Sequence, residues 1–179
     1  MMFQRTANRK NAFSMVELVI VIVILGIIAA IAIPRISSGS KNAGEAALHA
    51  NLATIRNAID WYYGEHKQTF PGAKQDGLGN TAGSAEAFVN QLTMYTDADG
   101  NASQDKDADY PYGPYIRGSF PKLPVGANTG SSDVAVNALV TPLVSNAGDG
   151  TGWVYSTATG QVIANANETG NDGATYDNF

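Results

Sequence analysis

From Phe13 to Ile33 the chain is apolar except for a single carboxylate, Glu17, and few folds can accommodate such a segment. About 21 residues make about 31 Å of helix at 1.5 Å per residue, enough to cross a hydrocarbon core. Val19, Ile20, Val21, Ile22, Val23 and Ile24 would suit a strand in water, but a lone segment in lipid satisfies its backbone only as a helix. A helix is therefore expected over 13–34. Ahead of it stand Arg5, Arg9 and Lys10 with no acid, so the amino end is expected in the cytoplasm and everything after Pro34 outside it.

Glu17 needs a reason to be there, because an acid within a span costs roughly 2.5 to 3.5 kcal/mol near the middle and less near an end. Three readings compete. Ala30-Ile31-Ala32 has the small-x-small form of a signal-peptide cleavage site, although the apolar run is longer than a signal usually carries and contains an acid. A plain anchor explains the length and leaves Glu17 unexplained. The third reading is proteolytic processing of the leader at Ala12-Phe13.

That third reading rests on Ala12-Phe13-Ser14-Met15-Val16-Glu17-Leu18, which resembles the processing site of the type IV pilin and type II secretion pseudopilin superfamily. The resemblance covers Arg5 to Pro34. It implies removal of the leader by a prepilin peptidase, N-methylation of the new first residue Phe13, and a glutamate at the fifth mature position, which is Glu17. Pro34 falls where the family places a proline. Ala12 departs from the glycine that most often precedes the cut. The resemblance further implies that helices pack side by side in a filament, where the Glu17 carboxylate of an incoming subunit pairs with the Phe13 amino group of its neighbour. Such a pair offsets its desolvation only in good geometry, so Glu17 would set register.

Removing the leader lowers Lys plus Arg from 11 to 8 against 16 acids, taking the net charge from -5 to -8, a balance unsuited to nucleic acid. Cysteine is absent, so no disulfide staples the exported part. Many type IV pilins close their carboxyl-terminal loop with a disulfide and major pseudopilins commonly with calcium, so this absence leans toward the second group.

Past Pro34 the helix is expected to continue, because Leu48, Leu52, Ile55, Ile59 and Tyr62 recur at spacings of four and three and form a core-facing stripe. Ser37-Ser38-Gly39-Ser40 marks a hinge or a melting point within it. His49 is expected to pair with Glu45 one turn earlier. The order Tyr63, Phe70-Pro71, Gly77-Leu78 resembles the way major pseudopilins leave their long helix. Ser84 can cap a short helix over Ala85 to Tyr95, with Phe88, Leu92 and Tyr95 on one face. Trp153 to Ser156 and Gln161 to Ala164 alternate as a hairpin, and a third strand is expected near Val134 to Val140, giving a small antiparallel sheet. The polar tail 165–179 reads as irregular.

Asp97, Asp99, Asn101, Asp105 and Asp107 form a carboxylate-rich turn of the kind that can offer oxygens to Ca²⁺. It is not an EF-hand, since Ala102 and Ala108 fall at the sixth and twelfth positions, and a solvated acidic turn is the simpler reading. No catalytic motif accompanies His49 and His66, and Gly148 to Gly152 precedes a strand rather than a phosphate-binding helix end.

The sequence therefore predicts an α+β, pilin-like chain with a leader (1–12), an assembly helix (13–34), its amphipathic continuation (35–65) and a periplasmic head (66–179). Its expected role is a non-catalytic, major pseudopilin-like filament subunit of a type II secretion pseudopilus, held in the inner membrane before assembly. A type IV pilus subunit and a membrane-anchored binding module or enzyme are the alternatives. The resemblance implies as partners further copies of the chain, a prepilin peptidase, a platform protein, an assembly ATPase, minor pilins or pseudopilins, and membrane lipid.

Overall fold

In the computed structural model the described residues are 13–138 and 142–179, and within the long helix the side chains of 32–38 lie outside the description. The chain divides into two compact units, one ending at Ser40 and the other running from Lys41 to Phe179. Helix α1 is assigned over Met15–Glu65, through the Ser37 to Ser40 patch, so the backbone does not melt where the sequence is weakest; the boundary between the units falls there instead.

In the larger unit the predicted stripe is the core wall. Leu48, Leu52, Ile55, Ile59 and Tyr62 are all buried, and they cluster with Phe88, Leu92, Leu123, Trp153 and Tyr155. Truncating one of these, Leu52→Ala for example, removes contacts that the surroundings can only partly refill, a loss of about 2–5 kcal/mol. Helix α2 (Ala85–Thr93) starts as the sequence predicts, with the Ser84 hydroxyl accepting the Ala87 N–H at 3.1 Å. It ends two residues earlier than expected. Met94 is already extended, and Tyr95 belongs to β1 (Tyr95–Thr96), which pairs antiparallel with β2 (Ala102–Ser103). Thr96 also exchanges backbone bonds with Tyr112, so two sets of ladder bonds draw this residue pair out of the helix.

The main sheet has the order β3 (Val134–Asn137), β4 (Trp153–Ser156), β5 (Val162–Ala164). The hairpin is found in the expected register, with Trp153 opposite Ala164 and Tyr155 opposite Val162. At its turn Gly160 has φ +70°, and a Cβ there would run into the Phe70 ring, so this position accepts only glycine. The third strand is a correction in direction: β3 runs parallel to β4, which makes the sheet mixed. A parallel neighbour needs a crossover of a dozen or more residues, and the stretch between Asn137 and Trp153 has that length where a hairpin loop would be far shorter. Leu139 and Val140, the end of the expected strand, lie outside the described residues.

The tail is also not as the sequence suggested. Ala166 and Tyr176 are buried, Thr169 bridges Thr175, and Tyr176–Asn178 forms a 3-10 turn. Helix α1 holds this segment at several points. Lys41 Nζ donates to the Thr169 carbonyl at 2.9 Å, Glu45 accepts the Asn171 N–H at 2.8 Å, and Arg56 donates to the Phe179 main-chain oxygen at 2.6 Å. The expected His49–Glu45 pair does not form, because the His49 ring stacks on Phe179 at 4.7 Å while Glu45 turns to Asn171 and Tyr176.

Beyond the end of α1, His66 is buried, stacked on Tyr62 at 3.7 Å, with Nδ1 against the Tyr62 carbonyl and Nε2 against Thr96 Oγ1. Burial holds its pKa below the ordinary value, against upward pulls from the Tyr62 and Asp97 backbones and the acids Glu65 and Asp97. The unfolded chain therefore takes up a proton first as pH falls below about 6.5, and stability present above that pH is lost as it drops toward the folded pKa. Thermal unfolding is expected to show a lower midpoint at pH 5.5 than at pH 7.5. His66→Gln should flatten that difference, and an unchanged difference would assign the acid loss to other groups.

Candidate functional site

The smaller unit carries the predicted processing and assembly residues. Ala12 lies outside the described residues. Phe13 is 82% exposed, just ahead of the first helical residue, Met15. Ser14 and Glu17 close on each other: the Ser14 hydroxyl accepts the Val16 N–H at 3.3 Å, and Glu17 Oε2 accepts the Ser14 N–H at 3.0 Å. This is a reciprocal capping box, in which a Ser and a Glu three residues later satisfy N–H groups that the first turn leaves unpaired. The carboxylate also sits at the positive end of the helix dipole. Sequence reasoning assigned Glu17 to a neighbouring subunit and missed this local role, although Ser14-x-x-Glu17 ahead of an apolar run is its signature.

From Val16 to Ile31 every large apolar side chain among the described residues is open. Exposure is 66% at Val16, 57% at Leu18, 50% at Ile24 and 55% at Ile31, with no face favoured. A helix apolar all round needs a cover of lipid or other helices. Among the described residues no helix is long and apolar enough to cross a membrane. The span expected from the sequence ran to Ile33, and the apolar side chains described end at Ile31. Pro34 lies within α1, and its side chain is outside the description.

The acidic turn is organised by hydrogen bonds from its own backbone. Asp97 Oδ1 accepts the Asp99 and Asn101 N–H groups at 2.8 and 2.9 Å, and Oδ2 accepts Asn101 Nδ2 at 2.7 Å. Burial alone would raise its pKa, but these bonds hold it below the ordinary carboxylate value. Asp99 is held low by its bond to Lys67, 2.9 Å away, with Lys74 at 3.8 Å. Asp107 accepts the Asp109 and Tyr110 N–H groups, and the Asp105 N–H and carbonyl both bond the Ser103 hydroxyl. Asp97 and Asp99 thus already serve N–H donors and lysines, and among the described residues no three acidic, histidine or cysteine side chains gather as a metal site would need.

With this geometry in place, comparison with known proteins is informative. Residues 7–33 match the prokaryotic N-terminal methylation motif. The amino terminus thus carries a motif in keeping with the resemblance read at Phe13 and Glu17. Type II secretion system core protein G of Aeromonas hydrophila is 31% identical over 55 residues, 31% of this chain and 38% of that protein. The type IV narrow pilus major component PilA5 of Thermus thermophilus is 44% identical over 50 residues, 28% of this chain and 43% of that protein. The match thus spans about two fifths of each curated relative. No solved structure matches. The pilin-like segment holds Phe13 and Glu17, whereas the acidic turn lies far downstream of the matched motif.

Two outcomes follow for the cap. Glu17→Gln keeps an acceptor at the same position and is expected to retain the helical signal in detergent by circular dichroism. Glu17→Ala removes half of the box and should fray the first turn, a loss of about 0.5–2 kcal/mol. Equal proteolytic protection of the two variants near Phe13 would show that the capping box contributes nothing. For the turn, the thermal midpoint is expected to be the same in millimolar Ca²⁺ as in chelator, and an upward shift reversed by Asp97→Asn would restore the metal reading.

Proposed function

We propose that this chain is a non-catalytic filament subunit, cut between Ala12 and Phe13, N-methylated on Phe13, anchored in the inner membrane through 13–34 with its head in the periplasm, and polymerised by that helix. The observation that carries this reading is the first stretch of α1, apolar all round from Val16 to Ile31, whose one charge, Glu17, stands four residues past the new amino terminus. Among the described residues the buried core of the head begins at Leu48, and the exposed apolar side chains at 13–31 offer a surface for lipid and then for neighbouring helices.

Glu17 then has two roles in sequence. In the separate chain its carboxylate is held by the Ser14 N–H, and in the filament it turns to the Phe13 amino group of a neighbour. The cap keeps the charge hydrogen-bonded until a partner arrives, which lessens the cost of carrying an acid at the membrane surface. Pro34, at the outer end of the assembly helix, marks its limit. Assembly of this kind calls for a prepilin peptidase, a platform protein, an ATPase and minor subunits. Nucleic acid has no part in it, and no calcium ion is needed to organise the acidic turn.

We assign the filament first to a type II secretion pseudopilus as its major subunit, in keeping with the cysteine-free head and the likeness to core protein G. The second reading, a type IV pilus, is favoured by the higher identity to PilA5. Intact-mass and amino-terminal peptide analysis of protein from native membranes is expected to give a chain beginning at N-methylated Phe13. A start at Ile33, or an uncut leader, overturns the proposal. Glu17→Gln should be processed normally yet yield at least about tenfold less filament, as expected when a buried charge pair loses one partner.

A further inference from the structure

The groove between α2 and the start of β3 has a composition that filament assembly through 13–34 leaves unused. It encloses about 450 Å³, within the roughly 300–1,000 Å³ typical of binding sites. Val89, Phe120 and Val134 supply apolar surface, and the exposed residues Glu86 and Asp133 stand at its edge. No lysine, arginine or histidine lines it, and neither carboxylate is engaged by another group among the described residues.

Asn80 and Asn90 complete the wall, and a buried charge fixes their orientation. Asp76 is fully buried with no cation beside it, and its Oδ2 accepts both amide nitrogens, each at 2.7 Å, while Oδ1 accepts the Leu78 and Asn80 N–H groups. With one N–H of each amide drawn inward to Asp76, the Asn80 and Asn90 side-chain carbonyl oxygens are available to accept from a ligand in the groove. The Ser132 hydroxyl, also in the lining, can accept as readily as donate. The lining is therefore apolar surface ringed by acceptors and two free carboxylates.

We propose that this groove binds an arginine or lysine side chain on an extended segment of a partner protein. The aliphatic stem lies over Val89, Phe120 and Val134, and the cationic head meets Glu86 and Asp133. Long basic side chains combine these two surfaces, an apolar stem and a charged tip. β3 is an outer strand of its sheet, so an extended segment has a strand to run beside, which is a common mode of peptide recognition. The chain's net charge of -5 favours encounter with a basic partner.

The test uses the full chain in detergent micelles and a fluorescently labelled Val-Leu-Arg-Leu-Val peptide with blocked ends, with the peptide titrated into empty micelles as background. Saturable binding is expected, lost when glutamine replaces the arginine and weakened by added salt. The Glu86→Gln, Asp133→Asn pair, both exposed, should retain the wild-type thermal midpoint and weaken binding about tenfold or more, as for a charge pair losing its partners. Ser132→Arg, which supplies a resident cation, should abolish binding. The proposal is overturned by absence of saturable binding, by equal affinity for the glutamine peptide, or by undiminished binding to the double variant. Self-association of the chain that is lost in Ser132→Arg would assign the groove to a second copy and likewise overturn the partner reading.

Discussion

The head depends on one face of one helix. Its described strands are two to four residues long, too short to be stable as free ribbons, and none would persist without a wall to pack on. Leu48, Leu52, Ile55, Ile59 and Tyr62 supply that wall, and the two largest residues of β4, Trp153 and Tyr155, are fully buried in the same cluster. The polar atoms of those rings determine how the loops run. Trp153 Nε1 donates to the Pro121 carbonyl at 2.8 Å and the Tyr155 hydroxyl to the Pro71 carbonyl at 2.9 Å. Each buried donor thus fixes a loop that has no secondary structure of its own, because a buried donor left unpaired would cost about 1–3 kcal/mol.

A second layer of order comes from buried amides and one buried acid. Gln91 accepts the Gly72 N–H and donates to the Gly100 carbonyl, tying two loops to α2 through one side chain. Asn165 accepts the Asn146 N–H through Oδ1 and is ringed on its nitrogen by oxygens of Asn146, Asp149 and Thr151. Asp76 keeps its charge without a counterion because four N–H donors surround it; burial would raise its pKa, and the Asn80 and Asn90 amides with the Leu78 and Asn80 N–H groups bring it below the ordinary value. Loops rich in Gly, Asn and Asp can be well ordered when each polar side chain closes a specific set of backbone groups.

What could be read in advance follows from range. The helical stripe, the Ser84 cap and the Trp153 to Ala164 hairpin are local patterns, and each was found where periodicity or capping chemistry placed it. The amino-terminal likeness was equally legible, because it lies within one contiguous run. The failures involve partners distant in the chain. The direction of β3 depends on where the crossover to β4 leads, and the end of α2 on Tyr112 capturing Thr96. His49 turned to Phe179 rather than to Glu45 because a ring more than a hundred residues away offered a larger contact than one exposed ion pair, which contributes at most about 1 kcal/mol. The Ser14–Glu17 box is a different kind of miss: its signal was local, but the cost of an acid in an apolar run drew attention to a distant partner first.

The tail shows how a cysteine-free head can close its end. Small exported domains commonly rely on a disulfide because a limited core leaves the chain ends loose. Here the closure is spread along α1, from Lys41 to Thr169, from Glu45 to Asn171 and Tyr176, from His49 to Phe179 and from Arg56 to the main chain of Phe179. Several of these contacts are exposed, so each contributes little alone, but they sit at intervals of four to seven residues along one helix and act on one segment. Ordering the tail through one contact lowers the entropy cost of making the next, so the set holds together as a unit in a way that no single member could. Helix α1 thereby serves the head twice, as the wall of its core through Leu48 to Tyr62 and as the rail for its last fifteen residues.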